Sequence, residues 1–301
     1  MELPRAIILM EQLIQVVLSG LATGSIYALA AIGFTLIWQA AQTVNFAQGE
    51  FVMLPAFFVL IGINFLGMPL WLAMLFGLAL SVLILGVAFK RILVDPLLSH
   101  GGLSLIIATM AVAILMKELV KEFYSAEAQP YPALVPQGAW DLSGVIISLQ
   151  DISHLIICFV VIVGLTLFLD KTKVGRCMQA AAQNAAVAEI LGVNVKRMIL
   201  YTFVVNAVLA TLASFLITPV YLAKFSSGEY LGLIAFIAAI VGGFNQVRGA
   251  LAGGLLIGVL DNITATYITA EYRQAIPLLL LIAVILFKPE GILGKPEGRA
   301  V

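Results

Sequence analysis

GLATGSIYALAAIGFTLIWQAAQTVNFAQGEFVMLPAFF, residues 20–58, decides the fold. It opens with small and apolar residues, in a run long enough to cross a bilayer. A polar knot follows, Gln39, Gln42, Asn45, Gln48 and Glu50, and then more apolar sequence. Amide and carboxyl groups between apolar helices are costly where they meet hydrocarbon. They persist where they line a cavity or a path within the protein. The stretch therefore reads as part of a membrane protein that passes a solute.

The rest of the chain has the same character. Of 301 residues, 62% are hydrophobic and only 11% charged, and the mean hydropathy is +1.11. Soluble domains carry about 25% charged residues. At roughly 20 residues per spanning helix, these residues hold about eight to ten spans and leave no room for an ATPase, receptor or catalytic domain. A net charge of zero gives no reason to expect nucleic acid as a partner. Cys158 lies in an apolar run and Cys177 in a basic loop, so free thiols are expected. The start does not read as a cleavable signal peptide, because its charges are mixed and no small-residue cleavage site follows a short apolar core. Gln12 and Gln15 break residues 6–18 into an expected interfacial helix.

Apolar runs at about 17–38, 51–65, 69–89, 103–119, 154–169 and 198–220 read as spans. Residues 231–267 are apolar but interrupted at 242–249, and 276–287 is the last run. The segment before the interruption is short for a relaxed span and reads as a re-entrant half-helix. The expected fold is an all-α polytopic transmembrane helical bundle, a single domain over 1–301. It has about eight to nine spans and one or two broken or re-entrant helices. The small residues Gly20, Ala22, Gly24, Ser25 and Ala28 give the first span a face for close helix packing. The Asn-Gln-Gly interruption at 45–49 is echoed at 245–249. Matched breaks mark the solute path in transporters built from repeats, but Asn, Gln and Gly also suit ordinary turns.

Basic residues set the orientation. Lys90 and Arg91, then Lys171, Lys173, Arg176, Lys196 and Arg197, then Lys288, Lys295 and Arg299 share one side, the expected cytoplasm. The loop at about 120–152 is then extracytoplasmic, with a strand-like piece at 144–149. Lys117 with Glu118, and Lys121 with Glu122, read as solvated span ends. Tyr27, Trp38, Trp71, Tyr221 and Tyr230 fit an interfacial aromatic belt. Asn206, in the middle of a span, reads as interhelical glue.

The basic loop at about 171–197 contains KTKVGRCMQAAAQNAAVAEILGVNVKRMIL. A helix is expected over 180–191, with Gly192 as its C-terminal cap and Asn194 capping the next span. An alanine-rich helix across the cytoplasmic face suits docking in a groove of another protein, although an ordinary connecting helix has the same composition.

Five pieces carry a resemblance: residues 20–51, LIIATMAVAIL at 105–115, residues 171–216, AFIAAIVGGFNQVRGALAGGLLIGVL at 235–260 and LFKPEGILG at 286–294. In this order the chain resembles the inner-membrane permeases of branched-chain amino acid ABC importers. The resemblance implies a transport subunit of a bacterial inner membrane, with no catalytic residue, cofactor or metal. Its implied partners are a second homologous permease, two cytoplasmic ATP-binding subunits and an extracytoplasmic solute-binding protein, with membrane lipid around the spans. It implies that the 175–192 segment is the coupling helix, with Arg176, Gln183, Asn184, Glu189 and Gly192 as candidate coupling residues. Candidate path residues are Asn45, Gln48, Glu50, Asn245, Gln246, Arg248 and Asp261, with Arg248 able to pair with Glu50 or to attract a carboxylate. The sequence Phe244-Asn245-Gln246-Val247-Arg248 departs from the Gly-rich pattern expected there, so urea, short amides and organic acids stay open as substrates. An ion-coupled secondary transporter would rest on Glu50 and Asp261, and a passive channel would need no docking helix. His100 and His154 have no partner at metal-ligand spacing.

Overall fold

The computed structural model describes residues 2–98, 101–136, 138–142 and 144–294. His100, Lys295 and Arg299 lie outside the described residues. The helices are α1 (Glu2–Ala41), α2 (Gln48–Asn64), α3 (Leu70–Leu97), α4 (Gly102–Phe123), α5 (Leu149–Lys171), α6 (Lys173–Gln183), α7 (Ala185–Ile190), α8 (Val195–Tyr221), α9 (Ser227–Gly242), α10 (Val247–Tyr267) and α11 (Ala275–Phe287). Before α5 stands a two-stranded antiparallel hairpin, β1 (Ala139–Leu142) with β2 (Val145–Ser148). Among the described residues, seven helices are long and apolar enough to cross a membrane, the last counted from Ala270. Two shorter apolar helices, α2 and α9, stand among them.

The small-residue face of α1 packs on α10. A Cβ added to Gly24 would lie 2.8 Å from the carbonyl oxygen of Gly254, and one on Gly20 would lie 2.7 Å from Val259 Cα. Backbones this close leave room for no side chain, which is why the face uses glycine and alanine. No break occurs between the expected interfacial helix and the first span, because α1 runs unbroken from Glu2 to Ala41. Gln12 and Gln15 are polar but are sound helix formers, so they mark a change of environment and not an end.

The third span also runs past its expected end. Lys90 and Arg91 stand inside α3, whose backbone widens into π-helical turns at Val82–Ala88 and Lys90–Val94. The Lys90 ammonium is buried, pairs with Asp95 at 2.6 Å and donates to the carbonyl oxygen of Lys196 at 3.1 Å.

Two helices start inside the bundle: α9 covers the re-entrant half-helix expected before the interruption at 242–249, and α2 stands where a full span was expected at 51–65. Residues 42–47 climb back from the end of α1, so α2 begins at Gln48 against Asn206, about 16 Å along α8. Residues 222–226 dip similarly, so α9 begins beside Lys117, well inside α4. With 17 and 16 residues, α2 and α9 are about 25 Å long, short of a hydrocarbon core of about 30 Å. They cross where Gly49 meets Gly228 and Gly232 at backbone distance.

The bundle has two unlike ends. At one, Gln39 donates to the carbonyl oxygen of Asn245 at 2.6 Å, and Ile292 N–H donates to Val241 at 2.8 Å. Lys90, Lys171, Lys196, Arg248 and Lys288 gather there, so it is the basic end. At the other, Asn64 donates to the Tyr124 hydroxyl at 2.8 Å, and Gln129 and Ala223 exchange two backbone hydrogen bonds. This is the loop end, where Tyr131 is buried against α2 and α8. Burial without a hydrogen-bond partner for its hydroxyl pushes the phenol of Tyr131 well above the usual range.

Candidate functional site

The polar knot resolves into separate roles. The Oδ1 of Asn45 accepts from the N–H of Ala47 at 3.1 Å and so turns the chain into α2. Its Nδ2 is buried without a hydrogen-bond partner. Gln48 and Asn206 form a reciprocal amide pair, each donating to the other at 2.9 Å. Gln48 is 1% exposed and Asn206 fully buried. Two satisfied amides in an apolar interior clamp the start of α2 to the middle of α8. Gly33 of α1 lies against the clamp, with no space for a Cβ beside Asn206.

Glu50, one half-turn on, is 3% exposed and leaves its Oε2 without a hydrogen-bond partner. It faces Gly228, with Glu229 and Lys117 as its charged neighbours. Lys117 crosses to Glu229 of α9 in an ion pair. Lys121 pairs with Glu118 at 3.0 Å on the surface. Arg248 is exposed at the basic end and is not the partner of Glu50.

Asp261 is fully buried in a network of its own. Arg273 donates to it twice, Nε to Oδ1 at 2.8 Å and Nη2 to Oδ2 at 2.5 Å, and the Tyr27 hydroxyl donates to Oδ2 at 3.2 Å. A second bond from Arg273 reaches the Tyr221 hydroxyl at 3.1 Å. Tyr27 is 2% exposed, so it belongs to this network and not to an aromatic belt, whereas Trp71, at 65%, fits the belt.

Two cavities flank the amide clamp. The loop-end cavity, about 490 Å³, lies between α2, the end of α8 and the start of α9. Val52 and Met53 in its wall stand one turn from Gln48. The basic-end cavity, about 880 Å³, is polar and reaches Leu36 and Thr202, one turn from Gly33 and Asn206 on the other side. Its lining brings together Asn245, Gln246 and Arg248 with Gln183 and Asn184. Residues read from the sequence as path and as coupling thus share one chamber.

The expected helix over 180–191 is two helices. Asn184 ends α6 and caps α7, its Oδ1 accepting from Val187 N–H at 3.0 Å. Asn is among the best N-caps, so the break was written in the sequence. Gly192 has φ +84°, as a helix C-terminal cap requires, and Asn194 caps α8 through Arg197 N–H at 3.0 Å. Thr172 caps α6 by accepting from Gly175 N–H at 2.9 Å. Arg176, Gln183 and Glu189 are exposed, and α7 bares Val187, Ile190 and Leu191, the last two at 85% and 76%.

Residues 16–285 match the family model for the permease component of branched-chain amino acid transport systems. The chain belongs to that family. It is similar to the high-affinity branched-chain amino acid transport system permease protein BraD of Pseudomonas aeruginosa, 33% identical over 96% of this chain and 98% of that one. It is 30% identical to the permease protein LivH of Escherichia coli, over 96% of this chain and 97% of LivH. A shorter likeness, 32% identity over 39% of each chain, links it to the ribose import permease RbsC of Haemophilus influenzae. No solved structure matches it significantly. The permease is thus a multi-pass inner-membrane transport subunit of bacterial type, and the Lys117–Glu229 and Asp261–Arg273 pairs are links between its elements that span-by-span reading missed.

Proposed function

We propose that this permease is the membrane-spanning subunit of an ATP-driven importer of branched-chain or related aliphatic amino acids. It forms the path and couples it to ATPase chains that bind at its basic end. By the excess of Lys and Arg in its short connections, that end faces the cytoplasm. A solute-binding protein delivers cargo to the loop end, a second permease faces this one across the path, and two ATPase chains bind below.

The observation that carries this reading is the 172–194 connector. Capped helices fix it to α5 and α8, and it still leaves Ile190 and Leu191 bare beyond the bundle. Apolar side chains so placed suit a groove in a partner. The connector also lines the basic-end cavity, so a tilt imposed on it changes the exit of the path. The Gln48–Asn206 clamp stands between the two cavities and is the barrier that alternating access must open.

The test is the composition of the native complex together with an Ile190→Glu variant. Mild extraction is expected to bring two ATPase chains and a second permease in fixed ratio. The variant is expected to fold normally, lose the ATPase chains and take up leucine at less than a tenth of the normal rate. A chain that extracts alone, or a variant with full uptake, refutes the coupling role and moves the secondary-transporter reading forward.

A further inference from the structure

The loop-end cavity pairs an apolar wall with a charged rim. Val52, Met53 and Ala56 of α2, Ile217 of α8 and Leu231 and Leu233 of α9 form its apolar part, and the hydroxyls of Thr218, Tyr221 and Tyr230 line the cavity beside them. Lys224 and Glu229 stand on the rim, on either side of the start of α9. Among the described residues Lys224 has no ion-pair partner. Glu229 engages Lys117 through Oε1, which leaves Oε2 for another donor. Beside Lys224, α9 begins at Ser227 with no side chain capping its first N–H groups. The Ser227 N–H is taken by the carbonyl oxygen of Lys224 at 3.1 Å, so the unpaired ammonium is the group left to attract a carboxylate.

We infer that this cavity is a binding subsite, within the permease itself, for an α-amino acid zwitterion with a branched aliphatic side chain. The inference rests on the importer reading above and adds a site to it. Lys224 holds the carboxylate, Glu229 holds the ammonium, and the side chain lies on the wall of Val52, Met53, Ile217 and Leu233. About 490 Å³ falls within the roughly 300–1,000 Å³ of small-molecule sites. A solute with one charge leaves a rim group unmatched. The rim is also tied to the long loop, since Ala223, which lines the cavity, exchanges both backbone hydrogen bonds with Gln129. A protein that docks on the loop therefore acts on the rim of the subsite.

The test uses the importer purified with its membrane and ATPase subunits in nanodiscs, without binding protein, and tritiated leucine as the probe. Wild type is expected to bind leucine, displaced by isoleucine and at least tenfold less well by leucinamide, which keeps the ammonium but lacks the carboxylate. Lys224→Gln is expected to weaken leucine at least tenfold and to abolish the preference over leucinamide. Lys224→Arg is expected to restore both, which a merely structural lysine would not require. Leu233→Trp, built from a surface position, is expected to exclude leucine. Leucine uptake by the complete importer, with no binding here or with equal binding by Lys224→Gln, overturns the subsite alone. No leucine uptake by the complete importer overturns the importer reading beneath it.

Discussion

Replacing Arg273 with leucine strands a carboxylate inside the protein. Asp261 is fully buried and takes two hydrogen bonds from Arg273, at 2.8 and 2.5 Å, against one from Tyr27 at 3.2 Å. Without the guanidinium, one phenol remains for a buried negative charge. Removing one partner of a buried ion pair costs about 3–5 kcal/mol. The pair itself is worth much less, because both ions were stripped of water to form it. The double variant Asp261→Leu, Arg273→Leu is therefore expected within about 1 kcal/mol of wild type, since an apolar replacement of a buried pair is often neutral. Tyr27 then keeps Tyr230 as a hydrogen-bond partner. Unfolding free energies of the wild type, both single variants and the double variant, measured in one detergent or bilayer system, close the cycle. An Arg273→Leu protein as stable as wild type refutes the reasoning. So does a double variant as unstable as the single one.

The amide clamp obeys the same logic at smaller scale. Gln48→Leu or Asn206→Leu alone is expected to cost about 1–3 kcal/mol by orphaning the other amide, and the double variant to recover most of it; equal losses in all three would show that the amides do not act as a pair. If the clamp is the barrier, the folded double variant leaks leucine without ATP, and tight vesicles would count against that role. For glycine, neighbours decide the sign. Gly24→Ala places a methyl 2.8 Å from the Gly254 carbonyl oxygen and is expected to destabilise by about 1–3 kcal/mol. Gly164→Ala meets nothing within 4 Å and is expected to gain up to about 1 kcal/mol from helix propensity; thermal midpoints moving the same way in both variants would contradict this.

Much of the architecture was legible in local sequence. Hydropathy located the spans, because each must satisfy its own backbone in hydrocarbon. Gly20, Gly24 and Ala28 announced a close helix contact, and Gly192 and Asn194 announced an end and a start. Less legible were residues whose partners lie far along the chain. Lys117 stands beside Glu118 in the sequence, while its partner Glu229 is 112 positions away. Tyr27 looked interfacial because aromatic rings usually are, yet Asp261 is 234 positions on. The echo between 45–49 and 245–249 marked one helix that starts inside the bundle, α2, and one turn at the basic end, before α10. The second helix to start inside the bundle, however, is the one after residues 222–226, where the sequence has no matching amides.

By itself the sequence determined that this is a polytopic helical permease, where most of its apolar helices lie, and which residues cap the connector at 192–194. Those properties follow from backbone hydrogen bonding, capping and hydrophobicity, all of which act within a few turns. Only the tertiary structure decided that the small face of α1 meets α10, that Gln48 closes on Asn206 between two cavities, and that Lys224 and Glu229 share a rim. Such contacts depend on shape and charge complementarity between distant segments, and one chain read locally carries no record of which surface meets which.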